Sequence, residues 1–516
     1  MNIVLATTPL IVAIIMLVVL QQSGLRAGLA TLAAAVVVTL LVPSFHLPPG
    51  AIALAAARGV GTSLTVLYML FPALLLYQVQ HITDNIAILA QGVARLCPDR
   101  DTQLLLLVLG LSPFIEAVSG FGVGTVVVIP MLMALGLDSL QAATLGLLGQ
   151  IAVPWGGLAV GITLGAELTG LHAGTLGAYT ALIAAPLPIG FGVAALAIGS
   201  GKDAVKRLWP AVVAASIVLV ASEWFFSQVP GVELAGAFAG VPTTIVLALW
   251  GHFAARRANS KNALSHADSQ ATIEQVGSLT SPRFLLALTP YIILIGALLI
   301  TRLVVPLQQW LQNNALLTIP AIGLRFQLLY NPGFYVLLAA LAAVLLLDAG
   351  ATGLRIALGQ TMRQFTPGAV AIVSFLAASQ IMSANGMITV LGGAAATLGS
   401  DYSWIVPWLG ALGGWLTGSN AGSNAVFARL QYETSLRAGL PVNWIMASQN
   451  GAASIATMVS PARIVLAAAT TGIVGKEGLL LRKLGPLVLA AVLIITILTR
   501  AILCSETSGV VGGSRP

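Results

Sequence analysis

The sequence predicts an all-α, polytopic membrane protein with about twelve to fourteen hydrophobic elements, not all of them complete spans. The 516 residues are 58% hydrophobic and only 8% charged, whereas soluble proteins contain about 25% charged residues. The mean hydropathy is +0.97. Apolar segments such as "PLVLAAVLIITILTRAIL" are long enough to cross a hydrocarbon core of roughly 30 Å as helices. The lipid bilayer is therefore the first predicted partner.

The positions of Lys and Arg predict the orientation of the chain in the membrane. Loops with basic residues alternate with loops that have none, such as "PSFHLPPG" and "SQVPGVEL". The basic loops contain Arg26, Arg95, Arg100, Lys202, Lys206, Arg207, Arg256, Arg257, Lys261, Arg355, Arg363, Arg482 and Lys483. Because such loops face the cytoplasm, we expect both termini outside and the longest polar linker inside. The net charge of +7 is distributed over these loops and does not indicate a nucleic-acid partner.

Composition also predicts how the chain is divided. Residues 1–254 form an N-terminal transmembrane half, and residues 283–505 form a C-terminal transmembrane half. Between them, residues 255–282 are a polar cytoplasmic linker, and residues 506–516 are a flexible tail. The chain is therefore expected to contain two transmembrane halves of similar size.

The two halves contain a weak internal repeat. "VSGFGVGTVVVIPMLMALGL" in the first half is similar to "LTGSNAGSNAVFARLQYETSLRAGL" in the second. Each is followed by a polar or glycine-rich stretch, "LLGQIAVPWGGLAVG" and "ASQNGAASIATMVSPARI". Paired, interrupted hydrophobic segments point to the binding site of a secondary transporter. Small residues that allow close helix packing are the alternative, which explains the glycines but not the clustered amides.

The second repeat predicts a polar helix that begins near Ser419. Asn420, Asn424 and Gln431 lie on one face of this helix, and Ser423 lies beside it. An unpaired amide in hydrocarbon costs roughly 2–7 kcal/mol, which excludes contact with lipid. Two explanations stay open: bonds to neighbouring helices, or a wet cavity. A helix that begins at mid-membrane presents N–H groups and a positive dipole end, which suit a carboxylate.

Four ionisable residues near these segments have alternative interpretations. Glu116 is an isolated acid beside a glycine-rich break, and either carries a proton or accepts hydrogen bonds from the broken backbone. Arg463 follows a predicted helix start with Ser460 as N-cap, and pairs with a substrate carboxylate, with Glu116 or with another acid. Arg429 and Glu433 are four residues apart and are expected to pair with each other.

Enzymatic functions find little support in the sequence. The five histidines are scattered, and no metal-binding helix motif, phosphate-binding loop or nucleophile elbow is found. "GFGVGT" lacks the lysine that a phosphate-binding loop requires. We therefore expect no cofactor and no metal. A polytopic membrane enzyme and a passive channel remain as less favoured alternatives.

Three segments resemble the signature sequences of the bacterial lactate permease family: "SPFIEAVSGFG", "WLTGSNAGSNAVFARLQ" and "MVSPARIVLAAATTGIVGKEG". The resemblance covers most of the chain and is strongest from Trp415 to Gly478. It implies a multi-pass protein of the bacterial inner membrane that takes up L-lactate, glycolate or a related short hydroxymonocarboxylate with a proton. It also implies inverted repeats with re-entrant hairpins and interrupted helices that move in an elevator-like manner, and allows a homodimer.

The resemblance also implies site residues. Glu116, Gly120, Phe121 and Gly122 match the family pattern E-x-x-x-G-F-G, and Thr417 begins its Thr-Gly-Ser pattern. Glu116 is accordingly predicted to couple the proton. The predicted substrate-binding residues are Gly120, Phe121, Gly122, Ser419, Asn420, Ser423, Asn424 and Arg463.

The sequence departs from the family pattern at three places. Asn420 stands where the family commonly has Asp, and Arg463 follows a Ser-Pro pair after which Gln is common. The first interrupted segment reads "GQIAVPWGG" instead of an Asn-Thr-Ala-Pro pattern. One acid fewer and one base more make the site more positive. A sodium-coupled carrier, or a carrier of a broader range of organic anions, is therefore the alternative.

Overall fold

The computed structural model describes residues 2–20, 22–94, 97, 99–120, 122–259, 282–473 and 476–512. Within these ranges the chain is almost entirely helical. The first half contains α1 (Asn2–Ile14), α2 (Gly24–Leu41), α3 (Pro49–Ile82), α4 (Asn85–Ala94), α5 (Arg100–Leu105), α6 (Ser112–Ser119), α7 (Val123–Ala134), α8 (Ser139–Leu148), α9 (Gly156–Thr169), α10 (Ala173–Ala184), α11 (Leu187–Gly199), α12 (Lys202–Phe226) and α13 (Val232–Asn259).

Among the described residues, the second half has fewer helices and also contains two short strands. Its elements are α14 (Pro282–Leu303), α15 (Val305–Asn313), β1 (Leu316–Ile319), β2 (Leu324–Gln327), α16 (Pro332–Leu346), α17 (Gly350–Ala384), α18 (Met387–Ala396), α19 (Val406–Thr417), α20 (Asn420–Arg437), α21 (Val442–Thr457), α22 (Pro461–Thr471) and α23 (Glu477–Gly512). The antiparallel pair β1–β2 is a small departure from the predicted all-α fold. Gly323, with φ +68°, allows the tight turn between these strands.

The predicted polytopic membrane fold is confirmed. In the described residues, ten helices or helix runs are long and apolar enough to cross a membrane. The pair α10 and α11, bent by 50°, makes an eleventh candidate, and five shorter apolar helices accompany them. The predicted linker lies largely outside the described residues, although α13 continues to Asn259.

Two helical hairpins turn back inside the molecule. Hairpin 1 comprises residues 100–134 (α5, the π-helical segment Leu106–Leu111, α6 and α7). The Nε atom of Arg100 donates to the carbonyl oxygen of Leu135 at 2.9 Å, so the first and last residues of the hairpin lie close together. Hairpin 2 comprises residues 406–437 (α19 and α20). These are the re-entrant hairpins that the resemblance implied.

Two interrupted helices accompany the hairpins. A short 3-10 segment, Gln150–Trp155, separates α8 from α9, and Pro154 within it stops a regular helix. Residues 458–460 separate α21 from α22, which restarts at Pro461 with the Ser460 hydroxyl as N-cap. The predicted N-cap is thus confirmed.

The bases of the two hairpins lie at opposite ends of α23. Near its start, α23 contributes Leu480 and Leu484 to the hydrophobic core that includes Leu145 of α8, which leaves the base of hairpin 1. Near its other end, Arg500 pairs with Asp401 at the base of hairpin 2 at 3.1 Å. The hairpins therefore point toward each other from opposite sides, in an inverted arrangement.

The long helices α3 and α17 pack against each other next to this inverted unit. Gly59 on α3 leaves no room for a side chain, because a Cβ atom there would lie 2.5 Å from the backbone of Ala377 on α17. A second hydrophobic core joins α3 and α17 to the hairpin unit through residues such as Leu74, Leu158 and Phe375. The tips of both hairpins therefore face the α3–α17 pair.

Candidate functional site

The hairpin tips meet at a buried ion pair. Glu116, on α6 of hairpin 1, and Arg463, in the first turn of α22, are separated by 3.2 Å between Oε1 and Nη1. Their side chains are only 1% and 6% exposed. The Nε atom of Arg463 also donates to the carbonyl oxygen of Gly418 at the tip of hairpin 2, at 3.4 Å. One arginine therefore connects both hairpins.

Hairpin 1 neutralises its own helix start with the Glu116 carboxylate. The Gly122 N–H donates to both carboxylate oxygens at 3.1 Å, and the Gly124 N–H donates to Oε2 at 3.4 Å. These N–H groups begin α7, where an anion is favoured by the helix dipole. Two features of the structure require glycine at position 122. Its φ is +85°, and a Cβ atom would lie 2.5 Å from Nη1 of Arg463.

The tip of hairpin 1 packs against the break between α8 and α9. A Cβ atom at Gly120 would lie 2.9 Å from the backbone nitrogen of Gly157. Gly157, Leu158 and Ala159 all have left-handed backbone angles, with φ between 54° and 64°. Non-glycine residues rarely adopt this region, and such strain is concentrated at binding and switch sites. Gln150 in the same break donates to the Thr125 hydroxyl.

Hairpin 2 has a neutral polar tip. The Ser419 hydroxyl accepts a hydrogen bond from the Gly422 N–H at 3.3 Å, so the predicted helix start near Ser419 is confirmed. The Thr417 hydroxyl donates to the Ser419 carbonyl oxygen at 2.9 Å. Gly418 turns the chain with φ +65°. This tip offers hydroxyl groups instead of a charge.

Behind this tip lies a layer of three asparagines. The Asn450 Oδ1 atom accepts from the Nδ2 atoms of Asn420 at 3.1 Å and of Asn424 at 2.6 Å. Asn424 also donates to the carbonyl oxygen of Gly161 on α9 at 2.9 Å. The Oδ1 atoms of Asn420 and Asn424 are buried without a hydrogen-bond partner among the described residues. Of the three asparagines, Asn420 also reaches the small cavity beside Glu116.

Ser423 is the start of a second buried chain of hydrogen bonds. Its hydroxyl donates to the carbonyl oxygen of Gly410 and accepts from Gln449, both at 3.0 Å. Gln449 in turn accepts from Gln431, and Gln431 accepts from the Tyr402 hydroxyl. Of the two explanations left open by the sequence, bonds to neighbouring helices therefore describe Ser423 and Asn424 in this structure.

A cleft of about 490 Å³ extends from the hairpin tips to the molecular surface. Arg463, Ser419 and Thr417 line its deep end together with apolar residues of α3, α7 and α17. An adjoining hollow shares Tyr77, Arg363 and Gln364 with this cleft and is also lined by Gln78, His81 and Gln360; we define it as the mouth of the cleft. A smaller cavity, between Glu116, Gly120, Asn420 and Arg463, lies behind the deep end. A small molecule can therefore approach the ion pair from one face.

The structure brings most of the predicted site residues together. Gly120, Gly122, Ser419, Asn420 and Arg463 surround the Glu116 carboxylate or line the adjoining cavities. Phe121 lies outside the described residues. The predicted Arg429–Glu433 pair is present at 3.5 Å, and Arg429 also donates to the carbonyl oxygen of Leu168 on α9.

Other residues of the site were not singled out by the sequence. Gln150, Gln449 and Asn450 lie in the two polar stretches that follow the repeats, which was their only signal. Arg363 was interpreted as a marker of membrane orientation, but it lines the cleft. Its sequence neighbours give no indication of that position.

Inverted hairpins, interrupted helices and a cleft that reaches a buried ion pair between them are the architecture of a membrane transporter. A model of the L-lactate permease family matches residues 2–326 and 318–504. The chain belongs to this family. It is a multi-pass protein of the inner membrane and not an enzyme.

Several relatives and one solved structure are similar over most of their length. L-lactate permease of Escherichia coli strain K12 is 26% identical over 93% of this chain and 91% of its own, and that of Bacillus subtilis is 23% identical over 92% and 91%. Glycolate permease GlcA of Escherichia coli is 26% identical over 92% and 91%. The structure of the Alcanivorax borkumensis YdaH transporter aligns with 87% of this chain and 86% of its own, at 15% identity and a TM-score of 0.48.

Proposed function

We propose that this chain is a secondary active transporter that moves L-lactate, glycolate or a related short 2-hydroxymonocarboxylate together with a proton. The observation that carries the proposal is the buried Glu116–Arg463 pair, which lies where both hairpins and both helix breaks meet. The substrate class is supported by the names of the relatives, which are L-lactate and glycolate permeases.

The ion pair suggests how anion and proton are coupled. In the empty state, Arg463 neutralises Glu116. A substrate carboxylate that reaches the deep end of the cleft competes with Glu116 for the same guanidinium group. Once the carboxylate takes Arg463, Glu116 is a buried acid without its counter-ion, and binding a proton removes the unfavourable charge. The net charge of the site is zero in both states, since one anion and one proton enter together.

The neutral groups around the pair supply the remaining contacts. Ser419 and Thr417 at the tip of hairpin 2 line the cleft and can hydrogen-bond the carboxylate and the 2-hydroxyl group. When Glu116 is protonated, the N–H groups of Gly122 and Gly124 lose a charged acceptor and become available to the substrate. An elevator-like displacement of the hairpin unit along α3 and α17 would then open the site to the opposite face.

The test is uptake of radiolabelled L-lactate by proteoliposomes that contain only this protein. We expect accumulation under an inward proton gradient, its collapse with a protonophore and competition by glycolate. Because the loaded site is neutral, a membrane potential imposed at constant pH should not drive uptake. Uptake that requires sodium at fixed pH would replace the proton with sodium as the coupling ion.

The Glu116→Gln variant tests the role of the carboxylate. A glutamine keeps the shape and accepts hydrogen bonds but cannot bind or release the proton. We expect loss of proton-driven accumulation, with exchange of internal for external L-lactate retained. Glu433→Gln is the matched control, because Glu433 pairs with Arg429 away from the cleft. An unchanged pH profile in Glu116→Gln would remove Glu116 from this role.

A further inference from the structure

We propose that the cleft has a second anion-binding position at Arg363, near its mouth, where a carboxylate is held on its way to or from Arg463. This inference rests on the proposed function, since it concerns the path of the transported anion. It assigns a binding role to a residue whose charge otherwise serves only membrane orientation.

The two arginines lie at different depths of one cleft. Arg363 and Arg463 both line it, but only Arg463 also borders the small cavity at Glu116. Arg363 instead borders the mouth, together with Tyr77, Gln364 and His81. Residues of α17 line the cleft from Arg363 to Phe375, which corresponds to roughly 18 Å of helix. Because Arg363 borders the mouth and Arg463 borders the small cavity at Glu116, the arginines define two separate positions.

The charge of Arg363 is not neutralised in the described part of the chain. The only charged side chains that line the cleft are Arg363 and Arg463, among the residues the structure describes. Arg463 is compensated by Glu116, whereas Arg363 forms no ion pair with any acid that the structure describes. Asp84 lines an adjacent cavity together with Tyr77 and His81, and Arg363 does not line that cavity.

An unpaired cation at the mouth of a largely apolar cleft attracts anions. Arg363 is exposed at this mouth, and apolar residues such as Leu74, Pro367 and Ala371 line the cleft beside it. Clefts of one charge sign with such walls raise the local concentration and the association rate of small ions. Gln364 and Tyr77 add hydrogen-bonding groups at the same position. The expected ligand is therefore a small carboxylate.

The location of Arg363 at the mouth predicts that its effect depends on the side of the membrane from which L-lactate is presented. The mouth of the cleft lies near the end of α3 and the first part of α17, the side that the basic loops predict to be cytoplasmic. Removing the charge at Arg363 should therefore weaken the apparent affinity for L-lactate presented from that face. Affinity from the opposite face, the maximal rate and the proton dependence should change little, because Glu116 and Arg463 are untouched. The effect should also decrease as ionic strength rises.

Arg355 provides the matched control. It lies on the same helix, eight residues before Arg363, is exposed, and is not among the residues that line the cleft. Arg355→Gln removes the same charge from the same element without changing the cleft. Arg363→Lys keeps the charge and separates electrostatic attraction from the specific geometry of a guanidinium group.

The experiment measures L-lactate transport in inside-out and right-side-out membrane vesicles that carry the wild type, Arg363→Gln, Arg363→Lys or Arg355→Gln. We expect Arg363→Gln to raise the KM about three- to tenfold in inside-out vesicles only, a modest electrostatic effect. Arg355→Gln should match the wild type, and Arg363→Lys should fall between them. Thermal unfolding of the purified variants verifies that each is folded.

Two outcomes overturn the inference and are distinguishable. If the wild type transports L-lactate and Arg363→Gln behaves like Arg355→Gln in both orientations, the second anion position is wrong and the proposed function stands. The same conclusion follows if the KM rises equally from both faces. If the wild type itself transports no L-lactate in either orientation, the proposed function fails, and the inference fails with it.

Discussion

The two hairpins share a shape and differ in chemistry. Hairpin 1 places the Glu116 carboxylate on its own tip, where the N–H groups of Gly122 and Gly124 bind it. Hairpin 2 has no ionisable group at its described tip, and the hydroxyl groups of Ser419 and Thr417 satisfy its turn. The tip of hairpin 1 is thus charged, and the described tip of hairpin 2 is neutral. In the proposed mechanism, this asymmetry assigns the proton to hairpin 1 and hydrogen bonding of the anion to hairpin 2.

The ion pairs at the bases of the two hairpins also differ, in number and in exposure to water. At the base of hairpin 1, Arg207 binds Asp99 at 3.0 Å and Asp101 at 2.6 Å. At the base of hairpin 2, Arg500 binds Asp401 at 3.1 Å, but the Asp401 side chain is 70% exposed. Asp99 and Asp101 are only 16% and 20% exposed, although Arg207 itself is 50% exposed. Water therefore screens the carboxylate at the base of hairpin 2 more strongly than those at the base of hairpin 1.

The largest effect is expected when the shared arginine is removed. Arg463→Gln leaves Glu116 buried without a counter-ion, and breaking a buried pair in this way costs about 3–5 kcal/mol. We expect a lower unfolding temperature in detergent at neutral pH and no accumulation of L-lactate. The double variant Glu116→Gln/Arg463→Gln should recover most of the lost stability, since neither charge remains.

Arg429→Gln is the control for this prediction. It also removes an arginine that pairs with an acid, but that side chain is 36% exposed. We expect a smaller loss of stability. If the double variant were as unstable as Arg463→Gln alone, the ion pair would not be the cause, and packing of the arginine stem would explain the loss instead.

A smaller effect is expected from alanine at the hairpin tips. Gly122→Ala requires a non-glycine residue at φ +85° and places a Cβ atom 2.5 Å from Nη1 of Arg463. Gly418→Ala has a similar φ of +65°, but its nearest described neighbour, Oγ of Ser460, lies at 3.1 Å. Each substitution costs about 1–2 kcal/mol of backbone strain, and only Gly122→Ala also displaces the arginine.

The measurement is L-lactate uptake at matched amounts of folded protein. Gly122→Ala should lose more activity than Gly418→Ala, and its pH profile should change because the Glu116–Arg463 distance changes. Equal losses with unchanged pH profiles would mean that both tips act through backbone strain alone.

Much of this comparison was predictable from local sequence. Composition predicted the membrane fold, the paired glycine-rich segments pointed to the binding site of a transporter, and the family resemblance implied the hairpins and the interrupted helices. Ser419 and Ser460 were identifiable as N-caps, because capping depends on a hydroxyl just before a helix start. The Arg429–Glu433 pair followed from the i, i+4 spacing. Each of these features depends on residues that are close together in the chain.

Features that depend on distant contacts were not determined by sequence. Glu116 and Arg463 are 347 residues apart, and the sequence left the partner of each open. Asn424 was predicted to bind substrate, and the sequence did not indicate its hydrogen bonds to Gly161 and Asn450 of other helices. Arg363 lines the cleft only because α17 packs along α3. The periodicity of a helix identifies its polar face but not the neighbour against which that face packs.

The smallest losses of stability are expected from substitutions at the bases of the hairpins. Asp99 accepts hydrogen bonds from the Thr102 N–H and hydroxyl at 2.9 and 2.6 Å, and pairs with Arg207. Although burial raises the pKa of Asp99, these hydrogen bonds and the arginine outweigh it and lower the pKa below its usual value. Asp99→Asn keeps an N-cap acceptor but removes the charge that pairs with Arg207, and should cost about 1 kcal/mol, the upper end for an ion pair near the surface. Asp401→Asn, at an exposed pair, should cost about 0–1 kcal/mol.

The pH dependence distinguishes the two bases further. Because the pKa of Asp99 is lower in the folded state than in the unfolded state, its contribution is complete above the unfolded-state pKa of about 3.9. The contribution is lost as the pH falls through the lowered folded-state pKa. The difference in unfolding temperature between wild type and Asp99→Asn should therefore persist at about pH 5–7 and shrink toward about pH 3. A difference that stayed constant over this whole range would mean that the charge of Asp99 does not stabilise the base of hairpin 1.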